Sequence, residues 1–498
     1  MRSIHRNVTL ACILLLAFVA RYRSIDRFET GYDELFSVLE ANGYDLSSMQ
    51  EHVPFTKAQL DLHDDLDGAR KACIASDGGN GILYVLLLHA WTELLGNSNL
   101  SVRSFSLTCG LLVVLLLYTT TRQMIKDDMT ALVVAGLGAL APLLVDYSQE
   151  ARGYMLSTLF VLLATRAFLK LIETARPNVR QAITYGLLAG LSILTHYSSV
   201  YVLLAHATYA LLWVRTWGQW RTLIGAGAIC AVPVLLWLSL GGLEGLTVMA
   251  EHNQEYRDML AANPDYHEYF RASTPQHLAQ DTLVQFLWLG GNALQFIGPP
   301  LRILMLSLAI PCLLIAGAWK FREPAGSDRS LMFLVLLSLS GPCYALLTSA
   351  LAGHTFGMRY YYMMFSAPFI LVLLGLGTVH WLRAGSRLTR SVGTILLALQ
   401  LGIMLVSVNG FHVNGYRGNS SPQKVAPAAR MIDQIVANAP PDRFLLIHQS
   451  DREALALNLH LGASSAQIVQ RIDGRSPYAT VLVGERNGIA HLLFKLSR

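Results

Sequence analysis

Charge is scarce in this chain. Of its 498 residues only 14% are Asp, Glu, Lys or Arg, against about 25% in soluble proteins. Hydrophobic residues make up 53%, and the mean hydropathy is +0.41. A soluble globular protein is excluded on these grounds, and the class that remains is an all-α polytopic membrane protein. The net charge of +5 is small for the length, and no nucleic-acid partner is expected. Cysteine is equally sparse. There are six, five of which (Cys12, Cys109, Cys230, Cys312 and Cys343) fall in apolar runs, and only Cys73 lies in a polar stretch, so no disulfide framework is readable. No internal repeat is evident, which weighs against inverted-repeat transporter folds.

What the chain has in quantity is long apolar runs. The first, Val8 to Ala20, follows Arg2 and Arg6 and resembles a signal peptide. Phe18 stands where a small residue should precede a cut after Ala20, so the run is read as an uncleaved first span. Ten more follow: Ser104–Thr121, Thr130–Tyr147, Tyr154–Ile172, Ala182–Thr195, Tyr197–Val214, Thr222–Leu240, Ile303–Trp319, Leu331–Ala352, Tyr361–Leu382 and Ser391–Val408. Two others, Gly81–Gly96 and Thr282–Ile297, are interrupted by polar residues and are expected to be interfacial helices. Polar segments are expected at Tyr22–Asn80 and Glu244–Asp281.

Eleven spans can be tested against charge placement. With the N-terminus inside, the inner loops are 122–128, 173–180, 215–221, 320–329 and 383–390, and these hold most of the short-loop Lys and Arg. Counting Gly81–Gly96 as a span would put two of them outside. The same pattern favours a turn at Thr195-His196-Tyr197 over one long helix. Beyond residue 410 the sequence reads as helix (Ala426–Ala437), strand (Phe444–His448), helix (Arg452–Leu461) and strand (Thr480–Gly484), a small α/β appendage on the outer side.

On this topology four polar features reach the outer face. They are the adjacent acids Asp33-Glu34, the segment Asp146-Tyr-Ser-Gln-Glu-Ala-Arg-Gly-Tyr154, the turn His196-Tyr-Ser-Ser199, and His354-Thr-Phe-Gly-Met-Arg-Tyr-Tyr-Tyr362. An Asp beside a bilayer can serve as a general base when partly desolvated and held by a neighbour. Arginines at the lip of apolar helices suit a phosphate whose lipid tail lies in the membrane. Each feature also has a structural reading: solvated acids, a local Glu150–Arg152 pair, an interfacial anchor at Arg359, a histidine satisfied within its own turn. Their convergence on one face is what those separate readings do not predict. A transporter or flippase of a lipid-linked sugar is the reading from another class. It would place ionisable groups near the middle of its spans, where this chain has almost no acids.

The stretch Arg21-Tyr-Arg-Ser-Ile-Asp-Arg-Phe-Glu-Thr-Gly-Tyr-Asp33-Glu34-Leu-Phe-Ser37 resembles the first-loop Asp-Glu motif of GT-C glycosyltransferases in the protein O-mannosyltransferase and aminoarabinose transferase group, a glycosyltransferase family 39-like set. Ser148-Gln-Glu-Ala-Arg-Gly-Tyr154 is similar to the second-loop motif of bacterial members. Met358-Arg359-Tyr360 is similar to a late arginine-bearing loop, and Gly81 to Arg103 looks like a juxtamembrane helix running into the second span. The resemblance covers about residues 8–410. It implies a GT-C fold, a membrane domain of eleven to thirteen helices with a large first extracytoplasmic loop. In this chain the expectation is about eleven transmembrane helices over residues 1–410, a first extracytoplasmic loop at 23–103 with juxtamembrane helices, a second at 241–300, and a small extracytoplasmic α/β domain at 411–498.

The resemblance also implies a reaction: transfer of a sugar, with inversion, from a polyprenyl-phosphate donor in the cytoplasmic (inner) membrane to an extracytoplasmic acceptor. The acceptor is a protein or a cell-envelope lipid or polymer. Asp33 becomes the base, and Glu34 orients it or helps bind a metal or the acceptor. Arg152 and Arg359 hold the donor phosphate, with Glu150, Tyr154, His196 and Tyr360 as further substrate-binding candidates. Some relatives use a divalent metal and others do not, and no clear ligand set appears here. Relatives often carry a Pro-Pro pair after Lys or His before the juxtamembrane helix. Here the chain reads Ser76-Asp-Gly-Gly-Asn-Gly81, with Arg70 and Lys71 as substitutes that no spacing argument supports.

Overall fold

The structure, a computed structural model, describes residues 3–26, 32–45, 55–56, 64–263, 270–293, 300–320 and 327–414, and four short strands beyond residue 440. All eleven apolar runs are helical. In chain order the helices are α1 (Ser3–Tyr22), α2 (Tyr32–Ala41), α3 (Leu66–Asp77), α4 (Ile82–Leu95), α5 (Asn99–Ile125), α6 (Asp128–Leu140), α7 (Pro142–Tyr147), α8 (Tyr154–Glu173), α9 (Val179–Thr195) and α10 (Val200–Trp213). They continue as α11 (Trp217–Trp237), α12 (Leu243–Ala262), α13 (Pro275–Leu289), α14 (Pro300–Lys320), α15 (Ser327–Ala352), α16 (Tyr360–Met363), α17 (Ala367–Arg383) and α18 (Arg387–Asn414). Among the described residues seven helical stretches are long and apolar enough to cross a membrane. Three shorter apolar ones lie at Ile82–Leu95, Asp128–Leu140 and Ser307–Ala318. This is an integral membrane protein.

Side-chain contacts sort the ends of these helices. Arg6 at the start of α1 and Arg122 at the end of α5 both pair with Asp128, at 3.4 and 2.8 Å. Arg383 at the end of α17 pairs with the adjacent Asp127 at 3.0 Å. Gln123 donates to the Arg166 carbonyl of α8, and Gln219 donates to the Ile172 carbonyl at 2.7 Å. The basic loops at 122–128, 173–180, 215–221 and 383–390 therefore share one end of the bundle, as the charge pattern requires. At the other end the chain reverses at His196. Tyr185 of α9 and His206 of α10 meet through a 3.1 Å hydrogen bond about equally far from the turn, so these are two antiparallel helices.

Two polar stretches expected as loops contain helices. α11 does not stop at Leu240 but passes through a π turn at Leu238–Gly242, where Gly241 takes φ +124°, into α12. The segment Leu243–Ala262 holds three each of Glu, Leu and Ala and two Met, all good helix formers, and the polar residues among them mask the helix in the sequence. In the first loop, α2 carries the Asp-Glu pair, and α3 starts on an Asp65 side-chain cap. α13 begins at Pro275, earlier than Thr282. Beyond residue 440, β2 (Phe444–Ile447), β3 (Gln467–Val469), β4 (Ala479–Arg486) and β5 (Ile489–Lys495) join β1 (Phe55–Thr56) of the first loop. The sheet order is β1-β3-β2-β4-β5, with β3, β2 and β4 parallel. β2 and β4 coincide with the two expected strands, whereas the expected helices at 426–437 and 452–461 lie outside the described residues.

The break between α6 and α7 shows how the end of the bundle opposite the basic loops is held. Pro142 has no N–H, so the Gly138 carbonyl four residues earlier loses its helical donor. Arg21, fully buried at the end of α1, supplies the replacement. Its Nη2 donates to Gly138 O at 3.1 Å, its Nη1 to Ala139 O at 2.9 Å, and its Nε to Ser148 Oγ at 3.0 Å. Arg21→Leu would strand these carbonyls in a dry interior. It should cost about 3 kcal/mol or more and lower the thermal unfolding midpoint of the detergent-solubilised protein; an unchanged midpoint would refute this role.

Candidate active site

Helical geometry separates the two adjacent acids. Successive residues of a helix point about 100° apart, so Asp33, Ser37 and Glu40 share one face of α2 while Glu34, Val38 and Ala41 share the next. Both acids sit in the first turn of α2, where the helix dipole favours negative charge.

The Glu34 face turns into the protein. Its carboxylate is bidentate on Arg103 of α5, with Arg103 Nε to Oε1 and Nη2 to Oε2 both at 2.8 Å. Each side chain keeps only 4% of its surface exposed. Arg103 also donates to Ile25 O at 2.8 Å, and Glu34 Oε1 accepts from the backbone N–H of Ala151 at 2.9 Å. Both oxygens of Glu34 are thus engaged in holding α1, α2, α5 and the segment 148–153 together.

The second-loop segment is distributed residue by residue. Ser148 bonds Arg21, and Gln149 donates to Arg21 O at 2.6 Å. Glu150 is buried within electrostatic reach of Arg103. Arg152 crosses to the first loop, with Nη1 on Ser37 Oγ and Nη2 on Asp77 Oδ2, both at 3.2 Å. Partial burial raises the Asp77 pKa, Arg152 holds it down in part, and Asp33 adds to the rise.

Asp77 and Asn80 belong to the turn between α3 and α4, the stretch that departs from the Pro-Pro pattern. Gly79 has φ +72°, and a Cβ there would approach the Trp237 ring to 2.6 Å, so only glycine fits. The turn is tied to the α9–α10 reversal by two bonds, Tyr197 N–H to Asn80 Oδ1 and Tyr197 OH to Gly79 O, both at 3.0 Å, and Trp237 of α11 donates its Nε1–H to the same Tyr197 OH at 2.8 Å. This places His196 across a cleft from Asp77, between walls formed by Tyr84 and Tyr154. Burial and the Arg152 charge push the His196 pKa down to about 3, so the ring is neutral.

Asp33 is half-buried and lies in the electrostatic environment of Arg152, Tyr154, Asp77 and Arg359. Arg359 rests over the Phe356 ring at 4.7 Å and donates to Tyr361 OH at 2.7 Å. Tyr360 is not brought to the cleft. It stacks on Trp288 at 4.5 Å, and it is Tyr361 that packs on Tyr154 and Tyr362 on His196. Arg70 and Lys71 both pair with Asp67, and Arg70 also donates to Leu240 O, so neither is a substitute at the cleft.

Asp77, Glu40, Ser37 and Arg103 were not singled out from the sequence. The i, i+4, i+7 spacing of Asp33, Ser37 and Glu40 was the available signal. Among the described residues no group of three or more His, Cys, Asp or Glu side chains is placed to hold a metal ion. With Glu34 committed to Arg103 and Ala151, the Asp-Glu pair does not fit one.

Arg103→Met leaves Glu34 buried without its counter-charge and should destabilise the protein by about 3–5 kcal/mol. Adding Glu34→Gln, which keeps an acceptor for Ala151 N–H, should recover part of that loss. Equal thermal unfolding midpoints for the single and double variants would contradict the assignment.

Residues 80–237 match the sequence pattern of the family described as dolichyl-phosphate-mannose-protein mannosyltransferase. No curated protein matches the chain. The structure is similar to the oligosaccharyltransferase of Archaeoglobus fulgidus (TM-score 0.55, 12% identity, covering 94% of this chain and 64% of that one). The archaeal oligosaccharyltransferase AglB from Archaeoglobus fulgidus, in complex with an inhibitory peptide and a dolichol-phosphate, gives TM-score 0.52 at 12% identity over 93% of this chain and 64% of that one. This chain thus spans less than two thirds of the archaeal protein's length. ArnT from Cupriavidus metallidurans bound to undecaprenyl phosphate is similar at TM-score 0.55 and 14% identity, covering 95% of this chain and 87% of that one. The chain therefore has the fold of these membrane proteins, and over residues 80–237 its sequence is similar to the dolichyl-phosphate-mannose-protein mannosyltransferase family.

Proposed function

We propose that the protein transfers a sugar, with inversion, from a polyprenyl-phosphate donor to an acceptor on the extracytoplasmic face of the inner membrane, with Asp33 as general base. One observation carries this reading. Of two adjacent acids, Glu34 is locked into the frame by Arg103 and Ala151, while Asp33 lies on the face of α2 that leads to the cleft holding Arg152 and Asp77. Two structural neighbours hold lipid phosphates, dolichol-phosphate in AglB and undecaprenyl phosphate in ArnT, which supports a donor of that class.

In this mechanism Asp33 takes the proton from the acceptor's hydroxyl or amine as that atom attacks the anomeric carbon. The bond from the anomeric carbon to the phosphate oxygen breaks on the opposite side, and its electron pair leaves with the lipid phosphate. Arg359 stabilises the charge that collects there, and Arg152, restrained by Asp77 and Ser37, adds to the positive field. Glu34 acts as a positioning residue, because it fixes both the first turn of α2 and the backbone beside Arg152.

Asp33→Asn removes the base with little change of volume. It should lower the rate of transfer by about 10²–10⁴-fold with the thermal unfolding midpoint retained. A well-folded variant that transfers sugar near the wild-type rate would overturn the mechanism. Mass spectrometry of envelope lipids, polysaccharides and glycoproteins from cells carrying either form should identify the acceptor as the glycosylated species lost with Asp33.

A further inference from the structure

We propose that Glu40 and His196 are a recognition pair for the transferred sugar, and that they take a neutral, hydroxyl-bearing ring in the cleft beside α2. This rests on the reading of Asp33 as the base of a polyprenyl-phosphate-dependent transferase, and adds to it the chemical class of the transferred group.

Glu40 is 1% exposed, and neither of its carboxyl oxygens has a hydrogen-bond partner among the described residues. It lies seven residues past Asp33 on the same face of α2, about 10 Å along the helix axis. Arg152 pairs with Asp77 and Ser37 instead of with Glu40. Opposite, His196 is 5% exposed and its Nε2 is likewise without a partner among the described residues. Its Nδ1 accepts the Ser198 backbone N–H at 3.2 Å, so the proton of the neutral ring sits on Nε2, which presents an unused donor.

Both residues line one cleft with Ser37, Asn80, Tyr84 and Tyr154. Buried polar groups are seldom left unpaired. Two in one cleft, one of them a donor and the other a carboxyl group, describe a site waiting for a ligand with several hydroxyls. The tyrosines offer apolar walls for the C–H faces of such a ring. Burial, reinforced by Asp77, raises the Glu40 pKa well above the usual carboxylate range. As a neutral acid it donates to one hydroxyl and accepts from the next, which suits an uncharged sugar better than an ammonium group.

The test uses the full-length protein in detergent and the short-chain lipid citronellyl phosphate, compared with its mannoside, glucoside, galactoside, arabinofuranoside and 2-amino-2-deoxyglucoside. Affinities are read from intrinsic tryptophan fluorescence. At least one neutral glycoside should bind about tenfold or more tightly than citronellyl phosphate, a difference of about one decade in Kd. Glu40→Ala and His196→Ala should each remove most of that gain while citronellyl phosphate still binds. Glu40→Gln, neutral and of the same shape, should keep most of it, and it also reports on the site if the alanine variant does not fold.

The gain persisting in both alanine variants overturns the recognition pair. So does a gain seen only with the amino sugar and lost in Glu40→Gln, or no gain with any glycoside in the panel. Failure of the wild type to bind citronellyl phosphate at all overturns the polyprenyl-phosphate reading as well.

Discussion

The ion pair between Glu34 and Arg103 is the constraint on which the candidate-site end of this protein depends. A buried charge is tolerated only when its partner is fixed and its remaining hydrogen-bonding capacity is used, and here both conditions are met by different parts of the chain. Arg103 comes from α5, Glu34 from α2, the third donor is the backbone of Ala151, and Ile25 O takes the spare guanidinium nitrogen. Segments more than a hundred residues apart in sequence are thereby set in one register. Arg21 does the same a little deeper, replacing the donor that Pro142 removes from α6.

These two arginines explain why the Asp-Glu pair and the Ser-Gln-Glu-Ala-Arg segment are informative together and weak separately. Most residues of the second segment serve the frame: Ser148 and Gln149 hold the end of α1, and Ala151 binds Glu34. Arg152 sends its side chain across to Ser37 and Asp77 of the first loop. A motif that looks catalytic as a string is, in three dimensions, mainly a joint that brings one cation and one acid to the same cleft.

Much of the fold could be read from the sequence because apolar runs in a membrane protein declare themselves. The same logic failed where helices are polar. α3 buries small residues such as Ala69, Ala72 and Cys73 rather than a broad apolar stripe, and α12 is polar along most of its length. Candidate-site residues could be singled out where they stand out against apolar neighbours, as with His196 and Arg359. It was not legible in the first loop, where Glu40 and Asp77 are two acids among many. Adjacency to Arg359 says nothing of direction: Arg359 is extended before α16, and Tyr360 at the start of that helix stacks on Trp288 while Tyr361 and Tyr362 pack on Tyr154 and His196.

The clamp on Glu34 also makes the order of the two acids matter. As composition, Asp-Glu and Glu-Asp are the same dipeptide with the same charge. In this site the longer acid must come second, since it reaches across to a guanidinium and a backbone N–H at once, while the shorter one before it keeps its carboxylate close to the helix. Exchanging them would shorten the tether to α5 by one methylene and lengthen by one the arm of the acid proposed as base. A change that leaves every bulk property of the chain untouched would therefore alter the frame and the acid that faces Arg152 and Asp77 together.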